Sequence, residues 1–360
     1  MTDREYLAAL TSFTPFGPAR IKLLSEYFGS AKEAWGVSGK ELVEIGMRQE
    51  LVGKFLDYRD SFNFKNYFNR LKERKIDFIT IKDDDYPENL KGLTDAPRVL
   101  YVRGKISKND VNAIAIVGSR KMTSYGREVT ERISSELAGY GITIVSGLAF
   151  GVDLAAHKSA LEVGGRCIAV LASGVDTITP RSNAWLGLKI ISSGGAIVSE
   201  FPPGVEAQRH FFPFRNRIIS GLSKAVIVVE GMIKSGTIHT AKHAGEQGRT
   251  VFAVPGQITS PMSEASHYLI KNGAKMVTSV NDILEELDLE LKVDKDAVEK
   301  IMPSDNLEKK LIDILAQEQL HIDEIGRISG LKVSEVSGKL TVMELKGMVR
   351  NLGGGIFKKI

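Results

Sequence analysis

The chain has a single cysteine, Cys167, so no disulfide can form within it. Its place in an apolar run marks it as a small core residue. No apolar stretch is long enough to span a bilayer, and the opening Met1-Thr-Asp-Arg-Glu-Tyr6 is too polar for a secretory signal; a cytoplasmic location is expected. There is no P-loop, no G-x-G-x-x-G fingerprint, no nucleophile elbow and no cysteine cluster. NAD binding is disfavoured, and no residue is assigned a catalytic role. His239 and His243 lie one turn apart without a carboxylate at supporting spacing, so neither a metal nor a cofactor is expected. The formal net charge of +4 is too small by itself to announce nucleic-acid binding. Its distribution is more informative, because residues 113–275 hold 17 Lys+Arg against 11 Asp+Glu. A basic excess in that part of the chain points to an anionic partner.

What is present between residues 112 and 277 is one unit repeated: a short β-branched run that ends at glycine or serine, then a segment able to start a helix. Ile114–Val117 leads to Gly118, Thr143–Val145 to Ser146-Gly147, and Cys167–Leu171 to Ser173-Gly174. Ala196–Val198 leads to Ser199-Glu200, Ala225–Val229 to Glu230-Gly231, and Thr250–Val254 to Pro255-Gly256. Apolar runs without alternation suit strands buried on both faces, as in a parallel sheet covered by helices. The reading is a doubly wound, extended Rossmann-like α/β domain. In such a domain ligands bind outside the carboxyl ends of the strands, where free helix N–H groups attract anions.

The flanks differ. Residues 1–75 show helical apolar spacing, and the turn Phe16-Gly-Pro-Ala-Arg20 between two helices suggests a small helix-hairpin-helix or SAM-like domain. Phe78–Ile81 and Val99–Val102 read as additional edge strands, so the α/β domain is drawn at 76–288. A charged linker is drawn at 289–305. Residues 306–360 combine an amphipathic start, a helix-turn-helix pattern over 321–345 and a glycine-turned hairpin from Val349, together a winged-helix-like domain.

Four clusters would meet at the crevice. Gly118-Ser119-Arg120 combines a strand end, a hydroxyl and a fork-shaped cation suited to phosphate. Ser146-Gly147 through Gly151 would bring backbone N–H groups to an anion, with Asp153 complementing the following helix dipole. Arg209 to Arg217 interleaves three aromatics with three arginines, the composition of a surface that stacks bases and neutralises phosphates. Glu230-Gly231 with Ser235-Gly236-Thr237 would form an anion cradle at a helix start.

These residues, in order, resemble the DprA/Smf family of bacterial DNA-processing proteins. The resemblance runs through Tyr86-Pro-Glu-Asn-Leu, Ala115-Ile-Val-Gly-Ser-Arg120, Ser146-Gly-Leu-Ala-Phe-Gly-Val-Asp153 and Ala169-Val-Leu-Ala-Ser-Gly-Val-Asp176. It continues through Ser199-Glu-Phe-Pro202, Phe212-Pro-Phe-Arg-Asn-Arg-Ile-Ile-Ser-Gly-Leu222 and Gly248-Arg-Thr-Val-Phe-Ala-Val-Pro-Gly256. It implies a dimer that binds single-stranded DNA and helps load RecA during natural transformation, displacing or bypassing single-strand binding protein. The family's DNA pocket maps onto Gly118, Ser119, Arg120, Gly147, Phe212, Arg215, Asn216 and Arg217, with Arg209 or His210 as the preceding basic residue. Two other readings stand beside it. A phosphoribohydrolase-like enzyme would need a glutamate where Thr240 stands, and a duplex-binding regulator would act through the C-terminal domain.

Overall fold

The computed structural model describes residues 1–289, 306–316, 318–345 and 348–359. The expected linker at 289–305 therefore lies, apart from its first residue, outside the described residues. Two compact units emerge, one holding residues 1–138 and 142–289, the other the C-terminal residues.

The first unit is built on a nine-stranded sheet. Its strands are β1 (Asp77–Thr80), β2 (Val99–Gly104), β3 (Ile114–Val117), β4 (Ile144–Ser146), β5 (Cys167–Val170), β6 (Ala196–Ser199), β7 (Ala225–Val228), β8 (Thr250–Ala253) and β9 (Lys275–Met276), in the order β1-β2-β6-β5-β4-β3-β7-β8-β9. Strands β3 to β9 run parallel, and β1 and β2 add antiparallel strands beyond β6. The β-branched runs form the strands expected of them because both faces are covered: every residue of β3, β4, β5, β6 and β7 is buried. β9, only two residues long and exposed, carried no such signal and was not anticipated.

From β3 the chain steps outward through β4, β5 and β6, then returns past β3 to β7. The carboxyl ends of β3 and β7 thus flank the point where strand order reverses, the place where open α/β sheets gather ligands. The return is made by the helix Phe211–Leu222, whose Ile218, Ile219 and Leu222 pack into the core with Val145, Val170 and Val226.

Six helices within Asp3–Glu73 precede the sheet. Their core is aromatic: Phe13, Phe16, Trp35 and Phe55 lie with ring centroids about 5 to 6 Å apart. Buried hydroxyls join them to the sheet, since Tyr67 and Tyr101 share a 2.8 Å hydrogen bond and Tyr101 Oη reaches the Ala8 carbonyl at 3.4 Å. Burial pushes both phenols well above the ordinary tyrosine range, which keeps them neutral.

In the second unit the helices Asn306–Leu315, Ile322–Ser329 and Val333–Leu345 pack on a three-stranded sheet of β10 (Leu320–His321), β11 (Val349–Gly353) and β12 (Ile356–Lys359). Leu311, Ile325, Leu340, Val349 and Phe357 form its core. The hairpin turns on Gly353, Gly354 and Gly355, all in the left-handed region that glycine alone enters freely.

Candidate nucleic-acid interface

The loops after β3 and β4 are locked together at the carboxyl edge. Gly151 has φ +75°, and a Cβ there would lie 2.2 Å from the Ser119 carbonyl oxygen, so only glycine permits this approach. Val152 N–H donates to the same carbonyl at 3.2 Å. The neighbouring Leu148 is held at φ +55° although it carries a side chain, a strain of about 1 kcal/mol that its burial and the bond from Asn183 Nδ2 to its carbonyl offset.

This arrangement projects Arg120 into solvent. Its guanidinium lies 4.8 Å from the centre of the Phe212 ring, and that of Arg215 lies 5.7 Å from the same centre. The two cations therefore pack against one aromatic ring, although their surroundings differ. Arg215 is only 4% exposed: Nη1 donates to the carbonyls of Gly147 at 2.6 Å and Val170 at 2.7 Å, and Nε donates to Asn216 Oδ1 at 3.1 Å. Burial lowers its pKa to about 10, against the attraction of Asp153. Arg215 clamps the ends of β4 and β5. Arg120 has no ion-pair partner among the described residues, so its charge is available to a ligand.

Other expected groups are already satisfied inside the protein. The Gly147 N–H donates to Asp153 Oδ2 at 3.1 Å, and Ala149 N–H donates to the same oxygen at 3.4 Å. Asp153 therefore does more than complement a helix dipole; it consumes the donor that was expected to meet an anion. Burial raises its pKa while the Arg215 charge opposes that rise. Arg217 is 5% exposed and paired with Glu200 and with Asp95, at 3.4 Å for the latter, so its charge is neutralised within the fold. Asn216 Nδ2 bonds the Gly236 carbonyl at 3.3 Å and links this helix to the Ser235–Thr237 segment. There the Ser235 and Thr237 hydroxyls face Gly231, where a Cβ would meet them at 3.0 and 3.4 Å. Arg209 and His210 both lie exposed just before the helix.

Two features were not read from the sequence. The Glu230 carboxylate accepts from Thr123 N–H at 2.6 Å and from Thr123 Oγ1 at 2.7 Å. It occupies the start of the helix Ser124–Gly139, where a dinucleotide fold would hold its pyrophosphate. The exposed ring of Phe150, at 49%, is the second; it flanks the same edge as Phe214, which is 55% exposed and one of the three aromatics expected to stack bases. Phe150's position between the Gly147 and Gly151 turns was the available signal. The edge thus presents a solvent-facing cation, exposed aromatic faces and internally neutralised charges, chemically able to stack bases and meet a phosphate.

Comparison with known proteins identifies the family. The sequence model of the family described as "DNA recombination-mediator protein A" matches residues 77–288, and that of the "DprA winged helix domain" matches residues 295–355. Protein Smf of Escherichia coli is 41% identical over 291 residues, covering 79% of this chain and 78% of its own. Protein Smf of Synechocystis is 34% identical, across 97% of this chain and 96% of its own. The X-ray structure of DNA processing protein A from Streptococcus pneumoniae superposes with a TM-score of 0.68 at 33% identity, covering 81% of this chain and 99% of that one. The Helicobacter pylori protein, described for its single-stranded DNA binding mode, gives a TM-score of 0.52 at 28% identity over 58% of this chain and 95% of its own. The chain belongs to the DprA/Smf family of bacterial DNA-processing proteins.

Proposed function

We propose that the chain is a binding protein rather than an enzyme, and that it holds single-stranded DNA along the carboxyl edge of the sheet. The observation that carries this is Arg120, an exposed cation stacked on Phe212, beside Arg215 and Arg217, which are engaged within the protein. A flexible strand can lay phosphates against Arg120 and Arg209 and bases against Phe212 and its exposed neighbours, whereas a stiff duplex cannot follow so short a path. The single-strand binding described for the Helicobacter pylori relative supports the same reading.

The other two readings find less support. At the place of a phosphoribohydrolase glutamate, Thr240 is buried and bonds the Gly236 carbonyl at 3.4 Å. In the helix Val333–Leu345, Lys339 is paired with Glu308 at 3.1 Å, and the remaining charged residues are Glu335 and Glu344, a poor match for a duplex groove. No helix among the described residues is long and apolar enough to cross a membrane.

The family further suggests that the DNA-bound form is a dimer that passes its strand to RecA in competition with single-strand binding protein. Exposed apolar side chains near the β9 edge, Tyr268 and Met276, would gain from being covered by a second copy. Fluorescence anisotropy of a labelled oligo-dT across a salt series, with a duplex competitor and the Arg120→Ala variant, tests the binding step. Salt-sensitive preference for the single strand, weakened by the variant, is expected; equal preference for duplex defeats the reading. RecA-driven strand exchange on DNA coated with single-strand binding protein tests the loading step.

A further inference from the structure

The carboxyl edge does not end at β6. A groove of about 790 Å³ opens where the N-terminal helices meet the loop Pro202–Val205 that follows β6. One wall is a single helix face: Asn66, Asn69, Arg70 and Glu73 recur at helical spacing along Phe64–Glu73, and all four are exposed. Tyr58 and Phe62, with ring centroids 5.5 Å apart, contribute half-buried aromatic surface. We propose that this groove is a second base-binding subsite, which takes up the single strand as it leaves the Arg120–Phe212 crevice. The inference rests on the single-strand reading above.

Three observations place it on the same path. The Gly174 N–H donates to the Val205 carbonyl at 2.9 Å, and Gly204 N–H donates to Asp176 Oδ1 at 2.9 Å, so the loop lies across the ends of β5 and β6. Arg74 at the end of the helix forms an ion pair with the same Asp176, which pins the N-terminal helices to that edge. The same loop runs on to the DNA-facing helix, where Phe201 stacks on Phe211 at 4.2 Å. β3 and β6 are separated by three strand spacings, about 14 Å.

The chemistry selects bases over phosphates. Arg70 and Glu73 line the groove together and cancel in charge, so it is no phosphate trap. Each carboxamide offers two donors and an acceptor, the set that base edges match, and the rings provide a stacking surface of the kind worth about 1–3 kcal/mol per base. The volume falls in the range, about 300–1,000 Å³, of sites that take small organic groups.

The test uses the full chain with oligo-dT of about 6 and about 20 nucleotides, in the range of single-strand site sizes. The double variant Asn66→Ala/Asn69→Ala changes two exposed helix positions to the residue that favours helix most, so folding is retained, as its Tm will report. Expected is a loss of roughly five- to tenfold in affinity for the long strand, with the short strand unaffected and the slope of log affinity on log salt unchanged. Arg120→Ala weakens both lengths and reduces the slope. Undiminished affinity of the double variant for the long strand, or an equal loss at both lengths, overturns the subsite. Failure of the parent chain to bind either oligonucleotide overturns the single-strand reading instead, and the subsite with it.

Discussion

The arginine of the β3 loop and the two arginines of the helix Phe211–Leu222 belong to the same expected DNA pocket, yet the fold uses them in opposite ways. Arg120 is exposed, packs on its aromatic neighbour and has no ion-pair partner among the described residues. Arg215 and Arg217 are buried, one tied to strand-end carbonyls and the other to Glu200. A guanidinium taken out of water must be fully engaged by the protein, because several kcal/mol of desolvation would otherwise go unmet. It then has little left for a ligand. The comparison separates framework from contact: loss of a buried arginine should read out in stability, loss of the exposed one in binding.

The largest effect is expected at Arg217. Arg217→Ala leaves the Glu200 carboxylate buried without its cation and with the half-exposed Asp95 nearby, and should destabilise the chain by about 3 kcal/mol or more in denaturant unfolding. Because burial already raises the Glu200 pKa, that variant should recover part of its stability at acid pH or when Glu200→Gln is added. A variant that unfolds like the parent yet loses DNA would move Arg217 to the contact side of the comparison.

His157 tests how dry the framework is. It is fully buried, neither ring nitrogen meets a partner at good hydrogen-bond geometry among the described residues, and burial, opposed weakly by the Ser146 backbone, lowers its pKa to about 4 from the usual 6.5. The unfolded chain therefore binds the proton more tightly. The stability associated with keeping this ring neutral is complete above about pH 6.5 and lost progressively as pH falls towards 4, by about 3 kcal/mol in all. In His157→Leu, unfolding followed between pH 7 and 4 should lose that part of the slope; an unchanged slope would show that the ring is charged or solvated in the fold.

Gly147→Ala comes next. Its Cβ would lie 1.9 Å from Arg215 Nη1, so the guanidinium must leave its two carbonyls, at an expected cost of about 2 kcal/mol in thermal unfolding. Since Arg215 also faces Phe212, DNA affinity should fall with it. A drop in affinity without any loss of Tm would mean that the clamp is less rigid than its hydrogen bonds imply.

Arg120→Ala should give the smallest stability change, within about 0.5 kcal/mol, together with a clear binding defect. The salt slope for a single strand should fall by about 0.7 for one lost phosphate contact. Anisotropy at three salt concentrations, beside a melting curve, decides whether the contact and framework classes are distinct.

Much of this was legible before any coordinates. The strands β3 to β8 announce themselves because a strand covered on both faces must be apolar at every position, and that requirement leaves continuous β-branched runs. The glycines after β3 and β4 mark where backbones approach, and Arg120 and Phe212 stand in the blocks expected to converge. What the residues themselves could not reveal is which polar groups the protein keeps for its own use. Asp153 takes the Gly147 N–H, Glu230 fills a helix start and Arg217 answers Glu200, each through partners distant in sequence or placed by a turn.

The amino-acid sequence by itself determined the α/β class, the helical and winged-helix flanks and the line of residues along the strand ends, because these follow from local periodicity and turn chemistry. Only the tertiary structure decided which of three similar arginines faces solvent and that the N-terminal helices extend the same edge with a groove of amides and aromatic rings. Burial is the reason: it is a property of what packs against a side chain, and those neighbours are brought together only when the sheet assembles.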